Sequence, residues 1–142
     1  MIAAATASPW THCGIIIRKP DGLYVLEASK TVKLTKWEEW KNRGRGKYAA
    51  RKRYYNDDVR IDYEKFLGQP YDLEFKFDNG KMYCSELVYI IYKEQFGVEL
   101  CKPRHVSDYH LYGLDDVMKS RNIDSGQLVV APSDLYESNK LW

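Results

Sequence analysis

A chain of 142 residues holds one hydrophobic core and has no room for a second. With 44 % hydrophobic and 30 % charged residues it has the composition of a globular domain, and a net charge of +2 speaks against a polyanion as its main partner. No apolar run approaches the ~20 residues of a membrane span, and the opening MIAAATAS lacks the basic start and length of a signal peptide, so the chain as given reads as soluble and cytoplasmic unless a targeting segment precedes it.

In chain order, THCGIIIR and LYVLEAS are two β-rich runs around KPDG, a turn signal, and they predict a hairpin. TVKL predicts a third short strand. TKWEEWKNR predicts a short helix, with Thr35 and Glu38 at capping-box spacing. KYAARKRYY reads as a strand, and DDVRIDYEKFLG as a helix that starts on acids and stops at Gly68. QPYDLEFKFDNGK is loop with extended pieces. CSELVYIIYKEQFG is the strongest helix, with Leu87, Val88 and Ile91 on one face and Gly97 as its stop. SDYHLYGLDDVMKSRN is a weaker helix, and QLVVA a late strand. This order predicts an α+β fold over residues 1–142, a mostly antiparallel sheet with the long helix packed on it.

Two segments carry reactive side chains: SPWTHCGIII holds His12, and MYCSELVYII holds Cys84. In the hairpin, Arg18 opposite Leu23 and Lys19 opposite Gly22 would set Gly14 opposite Glu27 and His12 opposite Ser29. His12, Gly14 and Glu27 then share one face. His12 and Glu27 become diagonal neighbours, roughly 7–8 Å apart at the backbone. Gly14, with no side chain, leaves room for the carboxylate to reach the imidazole, orient it and stabilise its charged form. A one-residue slip would turn Glu27 to the other face.

Cys84 opens the strong helix. Its N-terminal N–H groups favour thiolate, and a nearby imidazole would lower the thiol pKa further and serve as base. Yet a Cys before an apolar helix is ordinarily a small buried hydrophobe, and a His at a strand start is ordinarily structural. Local geometry ties Glu27 to His12. It does not tie that pair to Cys84.

The two motifs together, PWTHCGIII…YVLEA followed by YDLEF…YCSELVYIIY, resemble the YiiX/YebB-like branch of the NlpC/P60 cysteine hydrolases, over about residues 6 to 136. That resemblance implies a circularly permuted papain-like fold. It implies Cys84 as nucleophile, His12 as base and Glu27 as third polar residue, with Tyr83 and Tyr71 at the substrate pocket. It implies hydrolysis of an amide or ester with no metal or cofactor. The substrate would be a cell-wall-type peptide with a γ-D-glutamyl bond or, as in some permuted relatives, a lipid acyl group. Family members begin with a GD-x-apolar-apolar-F strand, which this chain lacks before His12. A bare sheet edge is the expected consequence, and a homodimer through it.

Three other features compete. Cys13, Cys84 and Cys101 cannot all be paired, and no CxxC spacing suggests zinc. His105 and His110 stand downstream of Cys84, but PRHVSDYH reads as loop and helix cap, and Cys101 as structural. Residues 41–53, KNRGRGKYAARKR, hold seven basic residues in thirteen. They read as a solvated face, with a basic rim for an acidic substrate or a non-enzymatic nucleic-acid surface as the alternatives.

Overall fold

The computed structural model describes residues 2–6, 8–51, 60–77 and 79–141. A short helix α1 (Ile2–Thr6) precedes a three-stranded antiparallel sheet of β1 (Ile15–Lys19), β2 (Gly22–Ala28) and β3 (Val32–Lys36), with β2 central. Helix α2 (Trp37–Arg43) follows β3 directly. Beyond a 3-10 turn at Glu64–Phe66 comes α3 (Cys84–Phe96), the longest helix among the described residues. The remainder is β4 (Arg104–His105), α4 (Asp115–Ser120), β5 (Leu128–Val129) and α5 (Pro132–Tyr136), with β4 and β5 paired antiparallel. The fold is mixed α+β, as the element order implies.

The hairpin adopts the register read from its turn: Arg18 faces Leu23 and Ile15 faces Leu26. Because facing residues share a side, the sheet sorts itself. Ile15, Ile17, Leu26, Ala28 and Val32 join the core with Leu87, Val88 and Ile91 of α3. Val25, Glu27 and Thr35 are buried on the other side, where α2 folds back across β2 and β3. The strong helix ends where the sequence placed its stop. Gly97 caps it at φ 65°, a left-handed conformation that glycine adopts without strain.

Four expectations are corrected. Thr35 does not cap α2, for it lies within β3, Lys36 stands at the cap position, and the Thr35 hydroxyl is spent on Glu27. The helix expected over 57–68 is, in its described part, one 3-10 turn. Gln95 explains why: its side chain accepts from the Asp62 N–H at 2.9 Å and donates to the Asp62 carbonyl at 2.6 Å, taking groups a helix would use. The helix expected over 107–122 survives only as α4, since the His110 N–H donates instead to the Ala5 carbonyl at 2.7 Å. Residues 47–51 form no strand, and the rest of that expected strand lies outside the described residues. Helix α5 was not anticipated. Pro132 starts it, with Asp134 accepting from the Ala131 N–H at 3.2 Å.

Candidate active site

Glu27 is fully buried, and a carboxylate out of water needs donors. It has three. His12 Nε2 donates to Oε1 at 2.7 Å, the Thr35 hydroxyl donates to Oε2, and Arg43 from the end of α2 donates to Oε1. Burial alone would raise the Glu27 pKa; the His12, Arg43 and Thr35 hydrogen bonds reverse this and hold it at about 2.

His12 lies ahead of β1, not within it. The two-residue spacing to Gly14 still keeps it on the Glu27 side. A Cβ on Gly14 would stand 2.6 Å from the Leu26 carbonyl oxygen and 2.6 Å from Val25 Cγ1. Gly14→Ala should therefore push the chain off β2, at a cost of roughly 1–3 kcal/mol. It should also displace His12. Thermal melts together with Cys84 alkylation rates check this, and a variant matching the parent in both would show that the close approach is not required.

His12 also meets Cys84. Burial pulls the imidazole's pKa down, but hydrogen bonds with Cys84 and Glu27 prevail and lift it to about 9. The Cys84 thiol moves the opposite way, well below its ordinary value. The foremost cause is a hydrogen bond from Cys13; burial opposes, and the hydrogen bond and charge of His12 add to the drop. Cys13 is correspondingly pushed up by its bond to Cys84 and by burial. Cys84 is thus poised as a thiolate beside an imidazolium, while burial drives Cys101 up to about 12.

Cys84 is the first residue of α3, 1 % exposed. Glu86 reaches back to accept from the Tyr83 N–H at 3.2 Å, closing the helix start. Tyr83 and Ser85 both bind Val130: the Val130 N–H donates to the Tyr83 hydroxyl at 3.1 Å, and the Ser85 hydroxyl donates to the Val130 carbonyl. Tyr71 arrives through a parallel bridge to Met82 and places its phenol in hydrogen-bonding contact with Cys84. Burial, then the charge of Cys84, pushes that phenol's pKa up. The loop behind Tyr71 is organised by buried Asp72, which accepts from the Glu74 and Lys76 N–H groups and from Asn79 Nδ2 at 2.8–2.9 Å.

An apolar cleft with a cavity volume of about 90 Å³ opens on Cys84. Its walls include Ile2, Phe75, Tyr83, Val106, Leu114, Met118, Ile123 and Val130, and none of its lining residues is basic.

All five residues singled out in the sequence, His12, Glu27, Tyr71, Tyr83 and Cys84, therefore gather in one place. His105 and His110 do not join them. His105 caps a 3-10 turn and contacts the Gly126 carbonyl through Nδ1 at 2.9 Å. Sequence reasoning missed Arg43, Thr35, Cys13 and Asp72. Arg43 lay inside a basic run taken for a solvated face. That reading is also wrong for Arg51, which donates to the Ser138 carbonyl at 2.8 Å and to those of Tyr136 and Leu141.

A family model described as a permuted papain-like amidase enzyme, YaeF/YiiX, C92 family, matches residues 1–142. The uncharacterized protein YiiX of Escherichia coli K12 is 27 % identical over 152 residues, covering 99 % of this chain and 75 % of its own length. A crystal structure of metalloprotein YiiX from Escherichia coli O157:H7 superposes with a TM-score of 0.84 at 24 % identity, over 99 % of this chain and 85 % of the other. Among the described residues of this chain, no three His, Cys, Asp or Glu side chains converge in a group that could hold a metal ion.

Proposed function

The chain belongs to the permuted papain-like amidase family, and on that premise we propose that Cys84, His12 and Glu27 are the nucleophile, general base and orienting carboxylate of a cysteine hydrolase whose acyl group is apolar. The Cys84 thiolate attacks the carbonyl carbon, and the carbonyl π electrons move to oxygen. The resulting oxyanion is stabilised at the head of α3 by backbone N–H groups and by the Tyr71 hydroxyl. Because His12 Nε2 is committed to Glu27, Nδ1 is the nitrogen that trades a proton. The imidazolium protonates the departing amine or alkoxide as the C–N or C–O bond breaks, leaving a thioester. Neutral His12 then takes a proton from water. The hydroxide adds to the thioester, and collapse releases the acid and restores the thiolate.

The apolar cleft at Cys84 carries the choice of substrate. A γ-D-glutamyl murein peptide would bring a carboxylate into a space without a basic wall, whereas a lipid acyl chain would lose only water. Each buried methylene is worth ~0.8 kcal/mol. Across a series of acyl p-nitroanilides or p-nitrophenyl esters from acetyl to octanoyl, kcat/KM should therefore climb by at least about a hundredfold. Faster cleavage of a γ-D-glutamyl peptide than of any acyl substrate would reverse the choice. Equal iodoacetamide labelling of Cys13, Cys84 and Cys101 would remove the nucleophile itself.

A further inference from the structure

The catalytic reading leaves one charged contact unused. Arg43 closes α2 and reaches across the sheet to Glu27 Oε1, the oxygen that also accepts from His12 Nε2. Its side chain is 44 % exposed, whereas Glu27 is fully buried. One carboxylate oxygen thus serves two cations, one of which titrates and one of which does not.

That difference matters during turnover. His12 must be positive when it meets the leaving group and neutral when it activates water. If His12 were the only cation on Glu27, each release of its Nδ1 proton would leave a buried carboxylate with two neutral donors, the Nε2–H and the Thr35 hydroxyl, and no counter-charge. A guanidinium keeps its charge throughout the accessible pH range. We propose that Arg43 is a positioning residue of the Cys84 site: it holds Glu27 ionised through both halves of the cycle and limits how tightly that carboxylate retains the His12 proton. This rests on the catalytic reading of Cys84 and His12.

The other groups around the pair do not supply the same effect. Thr35 on β3 is neutral. Lys33, directly opposite Glu27 on β3, is exposed. Cys84 on α3 and Tyr71, bridged to Met82, act on the imidazole or on each other, and Cys13, beside His12, acts on Cys84. Lys41, on the same helix as Arg43, is engaged with Glu38 at 2.9 Å.

The test follows two probes on the full chain: the His12 imidazole titration by NMR, and the pH dependence of Cys84 alkylation by iodoacetamide, read by mass spectrometry. In Arg43→Gln, the imidazolium should hold its proton to higher pH. Two unit charges near one oxygen repel appreciably even with partial hydration, so the upper inflection should rise by roughly half a unit or more. Arg43→Lys, which keeps the charge, should return it most of the way. Should the Gln variant fail to fold, Arg43→Met keeps the stem and carries the same expectation. An inflection unmoved by loss of charge, or moved downward, overturns the proposal, and a lowered Tm alone would then mean that Arg43 only anchors α2. The catalytic reading fails by a different sign: a parent protein whose Cys84 alkylates no faster than Cys101.

Discussion

Cys84→Ser is expected to lower acyl hydrolysis by at least about a thousandfold, the scale seen when a nucleophile is removed from a triad acting as a unit. The reason lies in what stabilises the sulfur. A hydrogen bond from Cys13, the imidazolium of His12 and the opening N–H groups of α3 all favour a thiolate. A serine hydroxyl at the same position stays protonated near neutral pH and is a far weaker nucleophile than the thiolate it replaces. Folding should survive. The replacement is nearly isosteric, and a hydroxyl can hydrogen-bond to the same neighbours, so the stability change should stay within about 1.5 kcal/mol. Hydrolysis of an octanoyl substrate and a thermal melt on the same sample test both halves. Retained hydrolysis would mean that the chemistry occurs elsewhere.

The parts of this site that could be read from sequence are those set by short-range rules. KPDG is a turn, its flanks alternate, and the register that follows puts Gly14 against Glu27 and turns His12 to the same side. Helix α3 shows in its apolar spacing and its terminal Gly97. What could not be read depends on chain segments meeting at a distance. Arg43 and Glu27 come together because α2 folds back over β3, and composition alone makes a basic run look solvated. The contact of Cys13 with Cys84 crosses between the strand side and the helix side of the fold. The apolar cleft is assembled from α1, the loop at Phe75 and the segment from Val106 to Pro132, none of which is distinctive alone. The His12–Cys84 meeting is of this kind too, and only resemblance to a family foreshadowed it.

Glu27→Gln should produce the second large effect, on stability and on its pH dependence together. The amide keeps the shape but not the charge, so His12 and Arg43 lose a buried anionic partner. Because Arg43 can recover water, the expected loss is roughly 2–4 kcal/mol, below that of a wholly enclosed pair. Hydrolysis should fall by about a hundredfold or more as the imidazole loses its orientation. The pH window follows from the two titrations. Glu27 is held at about 2 against an ordinary 4.5, so its contribution is complete above pH 4.5 and fades as pH falls toward 2. His12 is lifted to about 9 from an ordinary 6.5, so its contribution is complete below pH 6.5 and fades as pH rises through 9. Parent and variant should therefore differ most between pH 4.5 and 6.5. The gap should narrow on both sides, less completely on the alkaline side, where Arg43 still pairs with the parent carboxylate. Urea titrations of both proteins from acid to alkaline pH measure it. Two stability curves that run parallel across that range would show that the fold uses the volume of Glu27 and not its charge.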